Sequence, residues 1–179
     1  MLTIHVEAST LFSESTYEFI DVPAMDLTLE HSLLSISKWE SLEHVPFMGT
    51  PLNDSQFIKY VECMCLTRNV PKNVFLSLSM DNKDKIRKYI DDPMTATTFS
   101  NRANLGGRSH GERITSEYIY YLMVAANVPF ECEKWHLNRL TTLLKICSIK
   151  SQPDKKMSMK DIHAQNRALN AQRQAKKKR

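Results

Sequence analysis

"TSEYIYYLMVAANVPFECEKWHLNRLTTLLKICS", residues 115–148, is the stretch that decides the fold, because it is the most apolar part of the chain. Residues 118–126 show no polar face, and a helix that is apolar all round is usually buried among neighbours. Asn127 and Val128 interrupt this helix, and Pro129 suits the first turn of a second one. The stretch therefore predicts an αα-hairpin over residues 115–148.

The second helix of this hairpin carries residue types that could bind a metal. On a helical wheel, one arc of about 140° holds an apolar stripe of seven residues: Cys132, His136, Leu137, Leu140, Leu143, Leu144 and Cys147. Cys147 lies about 16 Å along the axis from His136, so the two cannot share an ion, and zinc would need two further ligands. We expect the stripe to face the core, and the ring nitrogens of His136 to bond a backbone carbonyl or a carboxyl group.

The regions before this hairpin divide into a β-rich part and a helical part. Residues 2–6 and 17–22 alternate as strands do and fit a small antiparallel pair, residues 27–29 continue the alternation, and residues 32–37 suit strand or helix. Helix is predicted over about 55–67, and a short helix begins near Asp81 or Asn82 as its N-cap and ends before Pro93. Residues 95–113 hold three of the four glycines and predict an extended segment and a loop.

Charge divides the chain unevenly. Residues 1–153 hold 15 Lys and Arg against 18 Asp and Glu, whereas residues 154–179 hold 9 against 2, so the overall charge of +4 comes from a tail of +7. The predicted organisation is one α+β domain over 1–150, with a β-rich part at 1–47 and a helical part at 55–148. A basic helical or partly disordered tail follows at 151–179.

Other composition signals favour a soluble cytosolic protein. No apolar run approaches the roughly 18 residues that a membrane span needs, and residues 1–10 lack the pattern of a secretory signal. We expect the four cysteines, Cys63, Cys65, Cys132 and Cys147, to be reduced thiols that fill core space.

Three further motifs could carry chemistry, and each favours a plainer interpretation. The Cys63-Met64-Cys65 thiols would point about 200° apart on a helix, which favours packing over a metal. "NLGGRSHGER", residues 104–113, lacks the spacing of a phosphate-binding loop, and its adjacent Ser109 and His110 are no evidence for a nucleophile and base. The tail could contact phosphates or acidic proteins, but it has no aromatic residues for base stacking, so nucleic-acid binding would be nonspecific.

Four blocks of the sequence resemble a known family. They are "LTLEHSLLSISKWESLEHVPF" (27–47), "IDDPMTATTF" (90–99), "ITSEYIYYLMVAANVPFECEKWHLNRLTTLLKICSIK" (114–150) and "NRALNAQRQAK" (166–176). Together they resemble small proteins of tailed bacteriophages that are encoded among tail and virion morphogenesis genes and often described as tail assembly chaperones. The resemblance implies a noncatalytic protein, acting in the host cytoplasm, that binds the long helical tape measure protein and helps tail-tube subunits gather around it.

The functional expectation is therefore protein binding, without a cofactor, a metal or catalytic residues. The candidate partner-binding residues are Trp39, Trp135, Arg167, Arg173, Lys176, Lys177, Lys178 and Arg179. Trp135 stands outside the apolar arc, so we expect it to make a second contact, within the fold or with a partner. The alternative is a virion component, such as a head-tail connector or tail-tube-associated protein, whose basic tail contacts neighbouring subunits or DNA. Homo-oligomerisation stays open, and no membrane partner is expected.

Overall fold

The computed structural model describes residues 1–13, 17–99 and 113–151, and the single positions 163, 166, 167 and 170. The chain divides into a unit of Met1–Ser148 and a second unit of Ile149–Arg179. In the described part, six α-helices and two antiparallel sheets of two strands each confirm the α+β class.

The four strands lie at the N-terminus: β1 (Leu2–Val6), β2 (Ser9–Ser13), β3 (Glu18–Val22) and β4 (Met25–Leu29). The predicted segments 2–6 and 17–22 are both strands, but they do not pair with each other. β1 pairs with β4, which places Ile4 opposite Leu27, and β2 pairs with β3. This pairing buries Ile4, Val6, Leu27 and Leu29 together, which alternation within one segment cannot reveal.

The helices that follow the strands are α1 (Leu33–Glu43), α2 (Asp54–Met64), α3 (Lys72–Leu76) and α4 (Met80–Asp91). Residues 32–37, which suited strand or helix, begin α1, because Ser32 and Ser35 form a capping box. α2 ends three residues earlier than predicted, because Cys65 bridges to Leu29 and the Leu66 N–H donates to the Thr28 carbonyl at 2.8 Å.

The cap of α4 also differs from the prediction. Ser79, rather than Asp81 or Asn82, accepts a hydrogen bond from the Asn82 N–H at 3.2 Å. The Asn82 side chain instead donates to the carbonyl of His5 at 2.9 Å. This bond holds α4 against β1.

The predicted αα-hairpin is wrong in its second half. α5 (Ser116–Ala125) is followed by a 3-10 helix (Phe130–Lys134), and α6 (Leu137–Ser151) begins only after an extended Trp135. Cys132 therefore does not lie on the helix of Leu140, and the wheel placed it there wrongly. The stripe nevertheless faces the core: Cys132, His136, Leu137, Leu140 and Leu144 are buried, and Leu143 and Cys147 are partly buried.

α5 is also not buried all round. Its buried residues are Ser116, Ile119 and Met123, which recur at helical spacing on one face that packs against α1. Tyr118, Tyr121 and Val124 are 44%, 63% and 58% exposed. The helix is apolar on both faces, and in this fold only one face reaches the core.

The core is formed by α1 and the elements around it. Its largest fully buried side chains are Trp39, Tyr60, Leu27, Leu29, Leu33, Ile36, Met64, Ile86, Met123, Leu137, Leu140 and Val6. They come from β1, β4 and every α-helix except the five-residue α3, which contributes the buried Val74 and Phe75. One contiguous core therefore joins the β-rich and helical parts.

The burial of Leu140 gives a direct test of the stripe. Leu140 is 0% exposed, so we expect Leu140→Ala to lower the free energy of unfolding by about 2–5 kcal/mol through lost burial and a cavity. The control is Leu42→Ala on α1, which is 65% exposed and should change it by about 0.5 kcal/mol or less. Urea unfolding of both variants measures this, and equal losses would place the stripe at the surface.

Candidate functional site

The predicted partner-binding residues lie in different environments. Trp39 is fully buried, and its indole N–H donates to the Gln56 carbonyl at 3.1 Å, so it packs in the core and offers no surface to a partner in this fold. Trp135 is half-buried, with the Arg139 guanidinium 4.3 Å from its ring centroid, which is a contact within the fold.

The basic tail is described at only a few positions. Arg167 is exposed, and its Nε donates to the His163 carbonyl at 3.5 Å. Arg173, Lys176, Lys177, Lys178 and Arg179 lie outside the described residues, as do Ser109, His110 and the glycines of the 95–113 loop.

His136 belongs to a buried polar cluster. Its Nδ1 accepts the Asn138 N–H at 3.3 Å, and its Nε2 donates to the Tyr89 carbonyl at 2.9 Å. The bond to the Tyr89 carbonyl confirms the prediction of a buried histidine whose ring bonds a backbone carbonyl, whereas the partner of Nδ1 is a backbone N–H. The bonds also hold the start of α6 against the end of α4.

The second histidine of the cluster, His31, was not predicted. Its ring centroid lies 5.0 Å from that of His136, and its Nδ1 accepts the Tyr60 hydroxyl at 2.5 Å. Burial lowers the pKa of His31 to about 3, and the neighbouring His136 adds to this effect. Burial also raises the pKa of Tyr60, so the tyrosine remains the donor of this bond.

A cleft of about 320 Å³ opens beside the cluster, lined by Met1, Glu30, Tyr89, Met94, Lys134, Trp135, His136 and Arg139. The two oxygens of Glu30 accept the Tyr89 hydroxyl at 2.7 Å and the terminal amine of Met1 at 2.9 Å. Burial, together with the Glu30 bond, raises the pKa of Tyr89. Glu30, Tyr89, His136 and the Met1 amine thus each have a hydrogen-bond or ion-pair partner within the protein, an arrangement typical of a structural network.

The four cysteines do not form a metal site with other described residues. All four cysteines are free, and burial raises the pKa of Cys63 and of Cys65. Among the described residues, no three His, Cys, Asp or Glu side chains converge as a metal site would require. In the same part of the chain, no helix has the length and apolar character to cross a membrane.

The outer face of α5 exposes large apolar side chains. We call Tyr118, Tyr121 and Val124 the α5 surface. Tyr118 and Tyr121 have ring centroids 6.2 Å apart, and the three residues recur at intervals of three, which forms a stripe about 9 Å long. The sequence does not reveal this surface, because a helix that is apolar all round favours complete burial.

The border of the α5 surface is partly acidic. Glu117, one helical turn before Tyr121, is exposed, and hydrogen bonds from its own backbone N–H and from Thr115 lower the pKa of its carboxyl. Phe130, which follows α5 in the chain, is 56% exposed and packs against Tyr120 with a centroid distance of 6.3 Å. The α5 surface is therefore an apolar stripe with a fixed negative charge beside it.

Comparison of the chain with protein-family models, with characterised proteins and with solved structures finds no match.

The buried histidine pair predicts how stability depends on pH. The folded pKa of His31, about 3, lies below the unfolded value of 6.5, so the unfolded state binds more protons between these values. The contribution of the uncharged His31 ring to the free energy of unfolding is therefore fully present above pH 6.5. It falls as the pH drops toward 3, by up to about 1.4 kcal/mol per pH unit.

Urea unfolding at several pH values between 7 and 4 measures this slope. His31→Gln removes the titrating ring, so we expect its slope to be shallower by up to one proton over this range. Identical slopes in the variant and the natural chain would show that His31 is not buried uncharged.

Proposed function

We propose that this chain is a noncatalytic protein-binding factor of phage tail assembly that holds tape measure and/or tail-tube proteins through the α5 surface. The observation that carries the binding role is the exposure of Tyr118, Tyr121 and Val124 on a helix whose opposite face is already in the core. The phage role rests on the sequence resemblance alone.

The geometry of the α5 surface favours a helical partner. Residues at i, i+3 and i+6 form a ridge that packs against about two turns of an amphipathic helix. Tyrosine is among the residues that most often dominate binding energy, because it buries a large apolar ring at little entropic cost. A tape measure protein, which is long and helical, would offer such faces repeatedly.

The charge beside the α5 surface adds a preference. Because the Glu117 carboxylate remains ionised, it favours a partner helix that carries Lys or Arg next to its apolar stripe. The contribution of this exposed charge is mainly to orientation and association rate.

Two features support a noncatalytic role. The ionisable side chains of the His31–His136 cluster are engaged with one another or with backbone groups, as described above. The bonds around His136 and Glu30 join α4, α6 and the N-terminal strands, so their geometry serves the fold.

The virion-component alternative is supported by charge. Residues 154–179 carry +7, and Arg167 is exposed. A basic segment of this kind suits contacts with acidic subunits or with DNA phosphates. Mass spectrometry of purified virions separates the two functions, since a chaperone leaves the particle and a component stays.

Co-purification tests the assignment of the α5 surface. The tagged chain is co-expressed with the tape measure and tail-tube proteins encoded beside it, and we expect one of them to co-purify. Tyr121→Lys places a charge within the stripe and should weaken binding by about 2 kcal/mol, which is roughly 30-fold.

The control is Leu76→Lys on α3, which is 64% exposed and packs beside α2 and β3 rather than on α5. It should bind as the natural chain does. Equal binding by both variants would remove the α5 surface as the site, and failure of the natural chain to retain either protein would contradict the tail-assembly role.

A further inference from the structure

β2 and β3 form a two-stranded arm, defined here by Ser9–Ser13 and Glu18–Val22, that is apolar on both faces. Its register places Leu11 opposite Ile20 on one face and Phe12 opposite Phe19 on the other. At its base Val22 is 2% exposed, and the Asn73 side chain donates to the Asp21 carbonyl at 3.0 Å, which fixes β3 to α3.

Toward its tip the arm exposes an aromatic cluster. Phe12, Tyr17 and Phe19 are 50%, 82% and 77% exposed. The Phe12 ring centroid lies 5.3 Å from that of Phe19 and 6.3 Å from that of Tyr17. Ile20 on the opposite face is 42% exposed, so neither face of the arm is fully covered by the body of the protein.

The outer edge of β2 differs from the outer edges of the other three strands, which receive hydrogen bonds from neighbouring elements. β4 is covered by residues 65–67, because the Leu66 N–H donates to the Thr28 carbonyl at 2.8 Å. β1 is covered by α4 through the bond from Asn82 to His5, and β3 by the bond from Asn73 to Asp21. Within the described part of the chain, β2 is the strand whose outer edge receives no such bond.

The outer edge of β2 also lacks the usual protection against pairing. Natural edge strands are blunted by charged residues, by proline or by a covering loop. β2, with the sequence Ser9-Thr10-Leu11-Phe12-Ser13, has no charge and no proline, whereas β3 carries Glu18 and Asp21. An antiparallel approach of two β2 strands therefore brings no like charges together, but two β3 strands would.

From these edges we infer that a second copy of this chain pairs with the free edge of β2. The two arms form a four-stranded antiparallel sheet in the order β3–β2–β2–β3, related by a two-fold axis. Pairing satisfies the outward N–H and C=O groups of β2, while Phe19 stays on the outer strand β3. The arm shares no residue with the α5 surface, so self-association can be tested separately from partner capture.

Sedimentation of the full chain tests this pairing, at concentrations from about 1 µM to about 100 µM, which bracket a micromolar Kd. We expect a mass of two copies at the upper end. Thr10→Lys places a charge on the exposed side of β2, where it can still pair with Asp21 of its own arm, and should return the mass to that of one copy.

Phe19→Lys is the matched control, since it adds the same charge to the same face of the arm but on β3. It should keep the two-copy mass. A single-copy mass for the natural chain at all concentrations would overturn the inference. Dissociation by Phe19→Lys but not by Thr10→Lys would also overturn it, because the contact would then be made by the aromatic face rather than by the strand edge.

Amide hydrogen exchange on the natural chain keeps the test independent of variant folding. Outward amides of Ser9–Ser13 should exchange more slowly as the concentration rises, while those of β4 should not change. Concentration-independent exchange in β2 would contradict edge pairing. Neither measurement involves the tape measure or tail-tube proteins. A negative result for β2 pairing is therefore distinguishable from failure of the proposed function.

Discussion

The carboxylate of Glu40 is the constraint on which the orientation of α5 depends. It is 8% exposed and accepts the N–H of Phe47 at 2.8 Å and the N–H of Ser116 at 2.7 Å. Hydrogen bonds to a charged group contribute about 1.5–3 kcal/mol each, and the first turn of a helix favours a negative charge. Because Ser116 is thereby held inside, Ile119 and Met123 follow it into the core one and two turns later. The same rotation turns Tyr118 and Tyr121 outward, so a buried polar contact sets which apolar residues face a partner.

Local signals in the sequence predicted the elements better than their partners. Cap residues and apolar spacing gave α2 and α4 to within about three residues, because those signals act over one or two turns. α1 stayed ambiguous, although Ser32 and Ser35 carried a capping signal with Ser in the place of the usual Glu. The pairing of β1 with β4 is not predictable from alternation, because it depends on contacts between residues 19 to 27 positions apart along the chain. The 3-10 helix after Pro129 was missed since an apolar pattern does not separate a 3-10 turn from an α-helix.

In the candidate site, too, local patterns predicted some residues, whereas contacts between distant parts of the chain place the others. His136 was predicted to be buried because its neighbours in the stripe are apolar, whereas His31 had no such local pattern and is placed by the contact between the start of α1 and the start of α6. Trp39 and Trp135 both suggested exposed anchors, but Trp39 lies in the core. An apolar helix such as α5 has two physical explanations, complete burial or one face in the core and one at an interface. Only the elements that pack against the helix in the folded structure distinguish these two explanations.

Tyrosine-selective chemical modification of the folded chain, with each residue quantified by mass spectrometry, tests the two-faced α5 most directly. In the free chain Tyr118 and Tyr121 should react readily, as should Tyr17 at 82% exposure, while the fully buried Tyr60 stays protected. Added tape measure or tail-tube protein should then protect Tyr118 and Tyr121 and leave Tyr17 reactive. Protection of Tyr121 already in the free chain would show that α5 is buried on both faces, and unchanged reactivity beside a bound partner would show that the partner binds elsewhere.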